Sequence, residues 1–301
     1  MRISKKIFQT ARDFDSLRPE YKDNIAQLKA GNPGWDYAFF NDADVNAYIR
    51  AHVSDEEWDL VRLINPKYGV VLADLFRYLV IFNEGGVYLD IKSTARRPLD
   101  DVIPADAEFL ISQWPNRIHE RYRGFGLHAE LAFVLGGEFQ QWHVMARKGH
   151  PFLKAVRERV FENLRNYTPQ GFGTDAYGVL RLSGPIAYTK AIYPLLDLCP
   201  HTAVNIDDLG IAYSIYEGSA DARQHEKHAE HYKRVREPIV LREVYVEPRK
   251  PVVQSLGELL ATELRDNLEL VLKLAVFSVA AVVGLIVGLP LLMIWLLYLL
   301  A

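Results

Sequence analysis

The sequence predicts one α/β domain followed by a membrane-associating tail. Short apolar runs alternate with helix-like segments over residues 1–248, the pattern of an α/β domain with a largely parallel sheet. Within it, "ADLFRYLVIFNEGGVYLDIK" joins a helix covered on nearly all sides to a short strand that ends on Asp90. The last 28 residues, "LAVFSVAAVVGLIVGLPLLMIWLLYLLA", carry no charge.

Taken in order, "KKIFQT" reads as the first strand, and "LRPEYKDNIAQLKAGNP" as a helix with Pro19 early and Gly31 as its stop. "WDYAFFND" is a second strand closing in a turn-like Asn-Asp-Ala-Asp. "ADVNAYIRAHV" and "SDEEWDLVRLI" are helices, the second opening at Ser54 with Glu57 in capping-box register. In the next helix Val71, Leu75, Tyr78 and Phe82 form one stripe, while Leu72, Phe76, Leu79 and Val80 fill most of the rest. Gly85-Gly86 ends it by tolerating left-handed angles. "VYLDI" then delivers Asp90 to the carboxyl end of a strand, where open α/β sheets place their ligands. "AEFLISQW" and "AELAFVLGG" are further strand candidates, and "HPFLKAVRERVFENLRNY" is an amphipathic helix. The polar "GSADARQHEKHAEHYKRVREP" is either helical or mobile. No internal repeat interrupts this order.

Composition narrows the function classes. A net charge of −3 with 24% charged residues argues against a nucleic-acid partner. The single Cys199 excludes a disulfide framework within the chain and fits a reducing compartment. The opening "MRISKKIFQTARDFD" lacks the apolar stretch of a signal peptide.

The uncharged run at 274–301 exceeds the ~30 Å needed to cross the hydrocarbon of a bilayer, at ~1.5 Å per helical residue. Trp295 and Tyr298 lie near its far end, as interfacial aromatics do. Pro290 allows either a kinked span or a re-entrant hairpin. Gly284 and Gly288 form a small-residue pair that could join two such helices in a homodimer. Arg249, Lys250, Arg265 and Lys273 precede the run and nothing basic follows it, which puts the folded domain on the cytoplasmic side. Between them, residues 249–273 form an amphipathic linker helix, fit for the bilayer surface or for docking.

Asp74 and Arg77, at i and i+3 in an apolar helix, either pair with one another or face a polar ligand. Burying an ion pair is rarely a net gain over apolar packing, which favours the ligand. These residues also carry a resemblance. "ADLFRYLVIFNEGGVYLDIK" resembles the core signature of the glycosyltransferases defined by a sugar-binding region containing a D-x-D motif. That family includes capsular polysaccharide enzymes and the Golgi mannosyl- and inositol-phosphoceramide mannosyltransferases, with clostridial glucosylating toxins more distant. The matching residues are Asp74, Arg77, Gly85, Gly86, Tyr88, Leu89 and Asp90. "ISKKIFQT", "NPGWDYAFFND", "QQWHVMARKGHPFL" and "LSGPIAYTKAI" are similar to further family blocks in the family's order, with Phe8 in place of His and Ser183 in place of Thr.

The resemblance implies a GT-A-like domain moving a hexose, with retention of anomeric configuration, from a UDP- or GDP-sugar to a hydroxyl of a lipid-linked or polysaccharide acceptor. It implies that Asp74 and Arg77 hold the donor sugar, and that Asp90 and Tyr88 meet the ribose and diphosphate. Gln9, Thr10 and Trp35 would border the base, and Ser183, Gly184 and Pro185 the acceptor. The departure is Lys92, where the family's second aspartate helps to hold Mn²⁺ or Mg²⁺. A protonated lysine is no metal ligand. Either the metal survives on Asp90, diphosphate oxygens and a later group, with His231 preferred over His225 and His228, or the Lys92 ammonium itself neutralises the diphosphate. A nucleotide-sugar-binding pseudo-enzyme, a protein-modifying glycosyltransferase and a membrane adaptor are the alternatives.

Overall fold

The computed structural model describes residues 2–216 and 235–242. The linker helix, the uncharged run with Gly284 and Gly288, and His225, His228 and His231 lie outside the described residues. Among the described residues, no helix is long and apolar enough to cross a membrane.

The chain begins with β1 (Lys6–Thr10), α1 (Pro19–Gly31), β2 (Asp36–Phe40), α2 (Asp42–His52), α3 (Asp55–Val61), α4 (Gly69–Glu84) and β3 (Gly86–Leu89). There follow β4 (Thr94–Ala95), α5 (Leu99–Val102), β5 (Phe109–Ile111), β6 (His143–Ala146) and α6 (Pro151–Asn166). The last described elements are α7 (Pro169–Phe172), α8 (Ala176–Leu182), α9 (Pro185–Ile192), β7 (Thr202–Ala203) and β8 (Ile211–Ala212). The main sheet has the order β2-β1-β3-β6-β5-β7, and β4 pairs with β8 in a small second sheet.

This is a mixed α/β fold, and the sheet corrects the largely parallel expectation. β1 runs parallel to β2 and to β3, and β5 parallel to β7, but β6 is antiparallel to both of its neighbours. Five strands therefore point one way with β6 reversed among them. The loop 112–142 returns at the edge where β5 ends, so β6 needs no crossover and enters antiparallel.

Side chains alternate between two cores, as the period of a strand requires. Phe8, Tyr88, Val144 and Ala146 join one cluster with Leu75, Leu79 and Val156 from α4 and α6. Ile7, Val87, Leu89 and Met145 join the other with Leu28 of α1 and Leu99 of α5. The sheet is thus covered on both faces.

Several local expectations hold for the reasons given. Ser54 accepts from the Glu57 N–H while the Glu57 carboxylate accepts from the Ser54 N–H, closing the capping box of α3. The Asn-Asp-Ala-Asp after β2 is more than a turn: Asn41 caps α2 and Asp44 accepts from its backbone in a second capping box. The segment "AELAFVLGG" is no strand but a 3-10 turn at Ala129–Leu131 followed by Gly136 and Gly137 at positive φ. With β3 and β5 already on both sides of β6, that apolar run has no free sheet edge beside β6 to join.

Candidate active site

Arg77 is the centre of the site. Its guanidinium lies 3.3 Å from Asp74 Oδ1, one turn back on α4, and 3.2 Å from Asp90 Oδ1 just past β3. It also donates to the Gln141 carbonyl at 2.7 Å, and it lies 4.8 Å from the Tyr88 ring centroid. Asp74 and Arg77 are almost wholly buried, whereas the Asp90 side chain keeps 24% exposure. Of the two readings of Asp74 and Arg77, the structure shows the pairing: the residues bond one another, and the same guanidinium reaches the acid at the sheet edge.

Each Asp74 oxygen has a protein donor. Gln141 Nε2 reaches Oδ1 at 3.2 Å and Ser183 Oγ reaches Oδ2 at 2.8 Å. Burial pushes the Asp74 carboxyl up, and Arg77, Ser183 and Gln141 pull it back toward the charged form. For Arg77 burial acts to lower the pKa, but Tyr88, Asp90 and Asp74 more than offset it and the guanidinium is held charged. Tyr78 donates to the Ser183 carbonyl at 2.8 Å and so ties α4 to the start of α9. Neither Gln141 nor Tyr78 was legible as a site residue, since polar partners this far apart in sequence leave no local pattern.

At Asp90, the Tyr88 hydroxyl donates to Oδ1 at 3.3 Å. Oδ2 has no partner among the described residues, so this oxygen is available to a ligand. The backbone is fixed on three sides. Asp90 N–H donates to the Trp142 carbonyl at 2.9 Å, its carbonyl accepts from Ser93 N–H at 2.8 Å, and Gln9 Nε2 reaches that carbonyl at 3.3 Å. Asp90 to Ser93 is thus a turn with Lys92 at its third position. Lys92 Nζ donates to the Tyr213 hydroxyl at 2.5 Å and lies 3.7 Å from that ring's centroid. Its carbonyl accepts from Ile215 N–H at 2.8 Å.

The other expected site residues divide by sheet edge. Gln9 is fully buried and holds Tyr37 OH at 3.0 Å, so it supports the Asp90 turn from below. Thr10 is half-buried at the same edge and donates to the Phe40 carbonyl. Trp35 precedes β2 at the opposite edge, where its Nε1 donates to Asp100 Oδ1 at 3.0 Å. A strand length on the order of 17 Å separates that edge from Asp90, and the structure does not bring Trp35 to the site. Ser183 is fully buried with its hydroxyl engaged by Asp74, while Gly184 and Pro185, also buried, cap and open α9.

A hard divalent cation takes six or more oxygen ligands. Among the described residues no three His, Cys, Asp or Glu side chains stand together as a metal site. Asp90 supplies one open oxygen, and His231 lies outside the described residues, so the described residues do not by themselves fit a metal.

Residues 19–110 match the family model described as the glycosyltransferase sugar-binding region containing DXD motif. Over 227 residues the chain is 24% identical to the initiation-specific alpha-1,6-mannosyltransferase of Schizosaccharomyces pombe, covering 71% of this chain and 54% of that protein. It is 26% identical over 125 residues to inositol phosphoceramide mannosyltransferase 3 of the same yeast, covering 42% of this chain and 28% of the relative. The chain therefore spans about half the length, or less, of these curated relatives. Among solved structures, PaToxG glycosyltransferase is similar at 14% identity and a TM-score of 0.48, over 65% of this chain and 71% of that one. Residues 19–110 thus match the DXD-containing glycosyltransferase family that the motifs resemble.

Proposed function

We propose that the chain is a glycosyltransferase with a GT-A-like domain that moves a hexose from a UDP- or GDP-sugar to a hydroxyl of a lipid-linked or polysaccharide acceptor. One observation carries this reading: a buried, charge-held Arg77 clamped between Asp74 and the half-open Asp90 at the carboxyl edge of the sheet. The names of the fungal relatives make mannose the first sugar to test. In the reaction, the acceptor oxygen bonds to the anomeric carbon as the bond from that carbon to the diphosphate oxygen breaks. The electron pair leaves with the diphosphate, which takes up the acceptor's proton, so no protein base is assigned.

Arg77, its charge matched by Asp74 and Asp90, fixes the Asp90 carboxylate toward the donor with no reorganisation needed. The open oxygen of Asp90 accepts from a ribose or sugar hydroxyl. Asp74 and Arg77 form the floor beneath the donor sugar, and Ser183 holds Asp74 in place. Lys92 brings a second positive charge to the same turn. Mn²⁺ or Mg²⁺ would need Asp90, diphosphate oxygens and a group such as His231 together; no step is assigned to it. The uncharged run at 274–301 would hold the domain on the cytoplasmic face of a membrane. Lys92 also supports a second reading, a protein that binds nucleotide-sugar without turnover.

The test is transfer from a panel of UDP- and GDP-sugars, GDP-mannose included, by the full chain and by Asp90→Asn. The parent should release nucleoside diphosphate, and the variant should fall below about a tenth of it, a loss above ~1.4 kcal/mol of transition-state stabilisation. Thermal stabilisation by a nucleotide-sugar without release would favour the second reading. An Asp90→Asn chain as active as the parent would refute the site.

A further inference from the structure

The loop 112–142 between β5 and β6 holds an arrangement that the transfer reaction does not use. Ile118, Phe125, Leu127, Phe133 and Leu135 are all exposed, Leu135 to 95%. Most of the large hydrophobic side chains exposed among the described residues fall in this one stretch, so the exposure is concentrated rather than scattered.

The loop is also firmly built. Asn116 Nδ2 donates to the carbonyls of Phe125 and Gly136, at 2.8 and 2.9 Å. Gln113 Nε2 donates to those of Leu135 and Gly137, at 3.0 and 2.8 Å. The buried Glu138 accepts from Trp114 Nε1 at 2.8 Å and meets His128 Nε2 at 2.6 Å. Polar anchors, buried at Asn116 and Glu138 and half-buried at Gln113, therefore fix the backbone. Phe125 and Phe133 rest edge-on against Trp114 and Tyr193 yet stay about half exposed, while Ile118, Leu127 and Leu135 are more exposed still.

Charge indicates what these side chains meet. Arg117, Arg121 and Arg123 are exposed in the same stretch, interleaved with Ile118 and Phe125. Apolar side chains set among arginines suit a bilayer interface with anionic headgroups, where the apolar groups enter the acyl boundary and the guanidinia meet phosphates. A second copy of the chain would bring the same arginines against each other. The position agrees: β5 ends and β6 begins at the edge where β3 delivers Asp90. The same chain carries 28 uncharged residues at 274–301, long enough to enter a bilayer.

We propose that the loop at 115–137 is a lipid-contacting surface that seats the domain on an anionic membrane with the Asp90 edge facing it. Such a seat would present the site to acceptors carried in the bilayer. The contact itself does not depend on the transfer reaction.

The test uses the full chain with Cys199→Ser and a polarity-sensitive fluorophore on Leu135→Cys. A second preparation carries the probe on Lys148→Cys, an exposed position at the opposite sheet edge. Both are reconstituted into vesicles of phosphatidylcholine, alone or mixed with phosphatidylglycerol, containing nitroxide-labelled lipid. The Leu135 probe should be quenched at least about twofold more than the Lys148 probe in the anionic vesicles, and Arg117→Glu with Arg123→Glu should abolish the excess. Equal quenching at the two positions would overturn the proposal. So would a blue-shifted but unquenched Leu135 probe, which would mean that protein, either a second copy or the chain's own tail, covers the loop. Quenching at Leu135 without any sugar transfer would refute the catalytic reading and leave this one standing; transfer without quenching would do the reverse.

Discussion

Lys92 is the residue at which this chain leaves the pattern of the family it resembles, and its surroundings say what it can do. Its ammonium is turned onto Tyr213 while its carbonyl holds Ile215, so the lysine ties the Asp90 turn to the segment after β8. If it also neutralises the diphosphate, Lys92→Ala should lower the initial rate about tenfold, and added Mn²⁺ should not restore it. Lys92→Asp should make the rate more dependent on Mn²⁺. Superimposable curves of rate against Mn²⁺ for parent and both variants would confine Lys92 to buttressing the turn. His143 offers a separate measurement at this scale. Burial lowers its pKa to about 3. Ser112 donates its proton to Gln140 at 2.5 Å, so it accepts from His143 Nε2–H at 2.8 Å, leaving Nδ1 buried without a partner. The unfolded chain binds a proton at this ring below about pH 6.5 while the folded one does not. Stability from His143 is therefore present above that pH and is lost as pH falls toward about 3. Buried His150, also lowered, acts in the same direction, while the raised Asp74 acts oppositely. In urea unfolding between pH 7 and 5, His143→Gln should flatten the pH slope by up to about 1.4 kcal/mol per pH unit. An unchanged slope would mean that the ring protonates in the folded state.

Between elements, the joint of α4 and β3 sets the site, because it fixes Arg77 relative to Asp90. Gly85 has φ +66° and Gly86 φ +114°, and a Cβ on Gly86 would stand 2.6 Å from the Lys6 carbonyl oxygen of β1. Gly86→Ala combines backbone strain with a clash against a strand that cannot move freely, and should cost at least ~2 kcal/mol by urea unfolding. Gly149, at φ +69° with open space around its Cβ position, isolates the strain alone. Gly149→Ala should cost about 1 kcal/mol, and a cost equal to that of Gly86→Ala would refute the clash. This joint was legible in the sequence because a helix stop, a strand and a terminal acid are all local signals. So was the Ser54 capping box. The partners of Asp74 were not: Ser183 lies 109 residues further along, and its contact is made by packing rather than by any periodic pattern. The reversal of β6 was equally hidden, since a buried strand reads alike in either direction. The run "AELAFVLGG" misled because its apolar residues pass for a strand, whereas Leu131 and Val134 point inward at helical spacing and Phe133 and Leu135 outward.

For the whole molecule, the described residues and the uncharged run of the sequence make separable demands. The described residues 2–216 and 235–242 fall in one compact unit, and among them no helix is long and apolar enough to span a bilayer. The proposed attachment to a membrane would come from the uncharged run, by insertion, or from the loop at 115–137, by peripheral contact. These differ in strength. A span buries some twenty apolar residues and resists extraction, whereas a few side chains and arginines at an interface release when salt screens the headgroups. The full chain should remain in the membrane pellet after washes with high salt and with alkaline carbonate. A chain ending at Lys250 should be soluble without detergent, should sediment with anionic vesicles at low salt, and should leave them at high salt. A full chain extracted by salt alone would remove the inserted tail from the account. A shortened chain still pelleted at high salt would show that the domain holds the membrane by more than the loop.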